Sequence, residues 1–325
     1  MRSLVWVMFF TVSFISAYGS PKYDAAMVYT FDGKGDKTFN DLAHEGVEKA
    51  RKDLGLKIKE IEGWGKKGTI KKAEKAIKKG VPLLIFLSYA LRQIVADLSE
   101  KYPKVHFAII DSIVDAPNVK NIVFKEQEGS FLVGYLAGKF SEKPSLGFVG
   151  GVPIPVLKRF ESGFRQGIKK ANAKKTLHVD YIGNDNNAWI NPSKAKELTH
   201  DQFRKGADIV FAVAGGSGMG VIEAAQEAKK FAIGVDVNQN HLAPGRILTS
   251  MVKRIDQAIF NILADHSKGI FTVGTTKMGI KELGVSCAID EHTKSILKSK
   301  GKSEVIAEVR ELEEQIKNGK IQVKE

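Results

Sequence analysis

Several short apolar segments of this chain end on residues able to hold a small polar molecule. After Ala25 to Thr30 come Asp32 and then Asp36-Lys37-Thr38-Phe39-Asn40. Val105 to Ile110 is followed by Asp111, and Leu177 to Ile182 by a polar loop holding Trp189. Further on, Ile209 to Val213 leads into Ala214-Gly215-Gly216-Ser217-Gly218-Met219-Gly220, Phe231 to Val235 into Asp236, and Ile247 to Val252 into Lys253. Ligands of open parallel sheets bind beyond the carboxyl ends of the strands, so these residues are expected to converge. The set suits a flat heterocycle joined to a polyol. Phe39 and Trp189 would stack on the ring, Asn40 and Asp111 would read its edge, and Asp236 with Lys253 would take paired hydroxyls in charge-assisted bonds. Gly215 and its neighbours let backbone N–H groups approach a ligand at the mouth of a helix.

Each of these residues alone has a plainer reading. Phe39 could be the first core residue of its helix and Trp189 a cover for a neighbouring one. Asp111 and Asp236 could be turn formers, and Lys253 a surface residue. The convergence carries the weight. Enzyme signatures are missing from the same stretches. The glycine run does not satisfy G-x-G-x-x-G and is followed by neither Lys-Ser nor Lys-Thr, so it supports neither a dinucleotide site nor a P-loop. The seven histidines show no zinc spacing, no G-x-S-x-G elbow occurs, and Cys287, the single cysteine, has no evident base near it in sequence. No catalytic residue, metal or cofactor is expected. A hydrolase assembled only in the fold and a sugar-binding or other polyol-binding module stay open as alternatives.

The elements that must position these residues read as alternating strands and helices. Apolar runs at 25–30, 57–61, 83–87, 105–110, 122–124, 146–149, 177–182, 209–213, 231–235, 247–252 and 271–277 alternate with helical patterns such as 39–54, 70–79, 129–140, 156–171 and 255–266. Thr38 with Asp41 three residues later resembles a capping box, and Asn191-Pro192 supplies an N-cap and a proline at the first helical position. A βαβαβαβ order before about residue 125 and again after it predicts an α/β fold of two doubly wound parallel-sheet lobes. The expected first lobe takes 22–125 plus about 250–280, the second 126–249 plus about 281–325.

Bulk properties narrow the setting. Met1-Arg2 followed by Leu4-Val5-Trp6-Val7-Met8-Phe9-Phe10, with Ala17-Tyr18-Gly19 beyond, reads as a secretory signal over residues 1–19. That places the protein outside the cytoplasm, and no cysteine stands at the leader junction for a lipid anchor. The formal net charge is +13, yet nine lysines fall between Lys57 and Lys79, mostly opposite an apolar stripe of Ile70, Ala73, Ala76 and Ile77. A solvated helix face accounts for them, and with Trp64 as the segment's one aromatic, no nucleic-acid partner is expected.

Taken together, several ordered motifs resemble one family. They are Asp36-Lys37-Thr38-Phe39-Asn40, Phe107-Ala108-Ile109-Ile110-Asp111, Glu128-Gly129-Ser130-Phe131-Leu132-Val133-Gly134-Tyr135-Leu136-Ala137-Gly138, Ala214 through Gly220, Ile233-Gly234-Val235-Asp236 and Thr249-Ser250-Met251-Val252-Lys253. This pattern is similar to the basic membrane protein family. The resemblance implies a substrate-binding component of an ABC importer, with a type I periplasmic-binding fold and a purine nucleoside as ligand. It implies that Phe39 and an aromatic at Trp189 enclose the base, that Asn40 and Asp111 contact it, that Asp236 and Lys253 bind the ribose, and that Gly215 lies against the ligand. The loop from Asp32 to Asp36 is shorter than the family's, which leaves Asp32 the weakest member of the set. The expected protein is a periplasmic monomer that hands its ligand to an ABC permease.

Overall fold

The computed structural model describes residues 22–31, 33–63 and 65–325. The leader at 1–19 and Asp32 lie outside the described residues. Two six-stranded sheets make up the chain. The first holds β1 (Ala25–Val28), β2 (Ile58–Ile61), β3 (Leu83–Leu87), β4 (His106–Ile110), β5 (Val119–Phe124) and β11 (Gly274–Met278). Its order is β2-β1-β3-β4-β5-β11, with every pairing parallel. The second holds β6 (Ser145–Gly150), β7 (Thr176–Tyr181), β8 (Ala207–Val213), β9 (Phe231–Asp236), β10 (Ile247–Lys253) and β12 (Val285–Cys287). Its order, β7-β6-β8-β9-β10-β12, repeats the first, except that β12 runs antiparallel to β10. Central strands such as Leu83-Leu84-Ile85-Phe86-Leu87 are wholly buried because helices cover both faces of a parallel sheet, so an unbroken apolar run is what the position demands.

The chain crosses between the lobes between β5 and α4 (Glu126–Phe140), between β10 and α8 (Ile255–Ser267), and between β11 and β12. The crossing segments bond to one another: Lys125 N–H donates to the Met278 carbonyl at 3.0 Å and Arg254 N–H to the Gly284 carbonyl at 2.8 Å. The expected boundary near residue 250 is corrected by this topology. Ser250 to Lys253 belong to a strand of the second sheet, and the chain returns to the first lobe only at α8, which packs on α1 (Phe39–Leu54). β12 and the closing helices α9 (Glu291–Ser299) and α10 (Val305–Lys317) also complete the second lobe.

A helix of the second lobe lines the gap between the sheets with Val156, Leu157 and Phe160. α5 (Pro155–Ala171) buries Val156, Leu157, Phe160, Phe164 and Ile168 along one stripe, and Pro155 at its first turn costs no hydrogen bond. It lies backbone to backbone on α4: a Cβ at Gly163 would stand 2.1 Å from the Gln127 carbonyl oxygen. Only glycine allows that approach, and it places the start of α4 and the first turns of α5 side by side.

Candidate ligand-binding site

The carboxyl ends of both sheets face one cleft, of about 830 Å³ with its open mouth included, which lies in the usual range for small-molecule sites. Phe39, Asn40 and Asp111 line it from the first lobe. Trp189, Gly215, Asp236 and Lys253 line it from the second. Seven of the eight residues read from the sequence therefore share one cavity, and the eighth is Asp32. The lobes approach closely, since a Cβ at Gly216 would lie 4.0 Å from the Asp36 Cβ.

Trp189 is held by what surrounds it. It ends a single 3-10 turn, Asn186–Trp189, which opens with the Asp185 carboxylate accepting from Asn187 N–H at 2.9 Å. Ser217 Oγ donates to the Ala188 carbonyl at 2.8 Å and accepts from Asn191 N–H at 2.6 Å, tying the turn to the glycine loop. The indole lies on Gly151, where a Cβ would meet Trp189 Cζ3 at 2.4 Å. Opposite, Phe39 begins α1, half-buried and facing the same cleft.

Lys253 is the electrostatic centre. Its side chain is 1% exposed, and Nζ sits 2.6 Å from Asp111 Oδ2 and 2.9 Å from Glu126 Oε1, the latter a charge contact without hydrogen-bonding angles. Glu126 in turn receives Arg159 Nε at 2.6 Å, so ammonium and guanidinium share one buried carboxylate. The rings of Phe124, Phe39 and Phe160 lie 4.9, 5.6 and 5.6 Å from the same ammonium. Burial works against the Lys253 charge, but Asp111, Glu126 and Asp236 outweigh it and hold the group above the ordinary lysine range. Burial raises Asp111 too, opposed by Lys253. It pushes Asp236 up to about 7, with Lys253 opposing and Asp111, Asp36 and Glu126 adding to the rise. Asp111 Oδ1 is buried without a partner, and the Asp236 carboxylate receives no protein hydrogen bond among the described residues. Buried acceptors left open in a cavity are what a ligand bearing hydroxyl or N–H donors would satisfy.

A family comparison gives this arrangement its context. Residues 24–325 match the model of the Bmp family, described as ABC transporter substrate-binding protein PnrA-like. The chain belongs to that family. Bmp relatives include basic membrane protein D of Borreliella burgdorferi, 33% identical over 298 residues that cover 89% of this chain and 84% of that one. Another is a CD4+ T-cell-stimulating antigen of Listeria monocytogenes, 31% identical over 332 residues, 94% of this chain and 89% of that one. Among solved structures, an ABC transporter solute-binding protein of Aeropyrum pernix K1 superposes with a TM-score of 0.79 at 24% identity, covering 92% of both chains. The fold is thus that of the type I periplasmic-binding proteins, and the chain is an extracytoplasmic solute-binding protein of the ABC-transporter type. One Bmp relative, from Pyrococcus horikoshii and 30% identical over 276 residues (80% of this chain, 67% of that one), is named an uncharacterized lipoprotein, at odds with the expectation of a protein without a lipid anchor.

One sequence expectation needs correction. Thr38 and Asp41 do not form a capping box. Thr38 makes no side-chain cap bond, and Asp36 does the capping, accepting from the backbone N–H groups of Thr38, Asn40 and Asp41. Asp41 turns back to the Gly35 and Lys37 N–H groups. Asn40 is largely committed to the protein: Oδ1 accepts from Thr30 N–H and Oγ1, and Nδ2 donates to Asp36 Oδ2. That leaves one amide hydrogen for a ligand and makes Asn40 a brace for Asp36 and Thr30. Asn191, by contrast, caps α6 (Pro192–Arg204) as expected, accepting from Lys194 N–H.

Glu126 and Arg159 were not read from the sequence. The acidic start of α4, Glu126-Gln127-Glu128, looks like ordinary helix-dipole compensation, and Arg159 lies inside an amphipathic helix. Tyr89 and Phe160 also line the cleft. Nothing local marked them.

Proposed function

We propose that this protein captures a purine nucleoside between its lobes and passes it to an ABC importer without reacting with it. The observation that carries the reading is the pairing, in one cleft, of two aromatic side chains from opposite lobes with the open carboxylate of Asp236 beside Lys253. A flat base between Phe39 and Trp189 gains about 1 to 3 kcal/mol from stacking, and hydroxyls donated to Asp236 would occupy its empty acceptors. Asp111 Oδ1 supplies an acceptor for a donor on the base. The family pattern supports the purine assignment and the importer as recipient. Closure of the lobes would exclude water and form the surface that a permease reads, as in hinge-bending binding proteins. The leader at 1–19, cleaved on export, and the periplasm as the working compartment belong to the same proposal, as does action as a monomer.

Calorimetry of ligand-free protein against purine and pyrimidine nucleosides, free bases and pentoses tests it. Tight binding of a purine nucleoside, with free pentose far weaker, is the expected result. Preference for a sugar would replace the nucleoside reading with a polyol one, and turnover of the bound nucleoside would make the protein an enzyme.

A further inference from the structure

The lysine-rich helix α2 (Gly65–Ile77) presents a charged surface that ligand capture does not use. Thr69, Ala73 and Ala76 are buried against β1 and β2, at the far edge of the first sheet. At 3.6 residues per turn, Lys67, Lys71 and Lys75 project from the opposite arc, Lys72 flanks the buried stripe, and Lys78 and Lys79 in the turn that follows continue the charge. All six are exposed. None pairs with a carboxylate among the described residues, and Lys72 Nζ donates only to the Glu62 carbonyl. The one acid in the segment, Glu74, is occupied by Lys101 at 2.6 Å and by the Tyr102 hydroxyl, which adds another ammonium to the border of the patch. Elsewhere on the surface, lysines such as Lys49, Lys158, Lys194 and Lys196 pair with neighbouring acids. Unpaired lysines also stand on other faces, such as Lys170, Lys174, Lys298 and Lys300, but the α2 flank carries a dense run of them on one helix and the turn after it.

We propose that the α2 face docks the protein onto an anionic lipid surface. The patch holds lysine and no arginine between residues 52 and 91, so it offers a field of mobile point charges and not the rigid forks that grip single phosphates. A diffuse layer of acidic headgroups suits such a field, with each lysine near the surface raising partitioning roughly fivefold. No residue of α2 lines the cleft, and the helix runs back along the flank from the end of β2 to the start of β3, so docking leaves the cleft free. A solute-binding protein held this way would search for its permease along the membrane plane. The proposal stands on charge distribution and is independent of which ligand fills the cleft.

The test uses residues 22–325, the folded part described above, with phosphatidylcholine vesicles lacking or containing about one third phosphatidylglycerol. Sedimentation with the acidic vesicles alone, and release at about 1 M salt where the screening length falls to about 3 Å, is expected. Replacing Lys67, Lys71, Lys75 and Lys78 together by glutamine should cut partitioning roughly a hundredfold or more. The same change at Lys298, Lys300, Lys317 and Lys320, exposed on the other lobe, should leave it within about threefold. Circular dichroism and ligand calorimetry on both variants check that the fold is intact. The proposal is overturned by equal loss in the two variants, which would make the attraction one of net charge only. It also fails if the acidic vesicles capture nothing, or if a DNA duplex at matched salt retains the protein more strongly than they do.

Discussion

Asp111 and Asp236 occupy equivalent places in the two lobes: one follows β4, the other ends β9, and both adopt the left-handed backbone conformation, at φ 64° and 65°. Non-glycine residues rarely tolerate that region, and bulky ones less than aspartate. Strain repeated at matched positions, both facing one cavity, marks a site built from each half of the molecule. Their roles differ. Asp111 is tied to Lys253, while Asp236 stays open to the cleft.

Trp189→Ala and Phe39→Ala should each weaken ligand binding by about tenfold to a hundredfold, the equivalent of one lost stacking face. Because both side chains are half-buried at the cleft, melting temperatures of the free protein should change little. Unchanged calorimetric affinity in both variants would remove the stacking model.

Asp236 makes opposite demands on stability and on binding. Its folded value of about 7 lies above the ordinary 3.8, so between those limits the folded state binds more protons than the unfolded one. Stability thus falls as pH rises from about 4 to about 7, and the penalty is complete above that range. Asp236→Asn should therefore melt higher than the parent at pH 8, and the difference should close near pH 4. Ligand hydroxyls need the ionised acceptor, so affinity of the parent should drop by up to about tenfold per unit below pH 7, and the asparagine variant should show a flat, weak profile. Calorimetry across pH reads both effects.

Lys253→Met should be among the most damaging single changes. It strands Asp111 and leaves Glu126 with Arg159 alone, and breaking a buried pair from one side costs about 3 to 5 kcal/mol. Adding Asp111→Asn should recover part of that loss, a coupling that denaturant melts of the two single variants and the double variant would measure. Additive losses would mean that the contact contributes nothing specific.

Gly151→Ala touches the ligand only through Trp189. The new methyl would fall within 2.4 Å of the indole and must displace it. A shifted tryptophan emission together with roughly tenfold weaker binding is expected, since a displaced ring forfeits most of its stacking contact. Normal affinity with unaltered emission would show that the ring is not braced there.

What could be read from the sequence follows physical range. Strands such as 83–87 were visible because burial on both faces demands an unbroken apolar run, and the residues behind them were legible because strand ends define the cleft. β12 was missed because three residues, Val285-Ser286-Cys287, make no pattern of their own and pair only with distant β10. The lobe boundary slipped by a few residues for a related reason: β10 reads the same whichever sheet accepts it. Asp36 was passed over as the cap because Thr38 stands nearer the helix, while the loop geometry brings the earlier carboxylate over three N–H groups. Glu126 and Arg159 meet across two helices whose approach depends on Gly163, a contact encoded in no local spacing.

The return of the chain at β11 has a consequence for biosynthesis. Strand β5 is the border of the first sheet until residues 274–278 arrive to pair with it, by which time the whole of β6 to β10 has been made. A nascent first lobe therefore waits with an unpaired, apolar ribbon, Ile122-Val123-Phe124, open to wrong partners. Synthesis that stalls between Phe124 and Gly274 should yield a sticky fragment, because the first lobe is sealed only by chain made after most of the second.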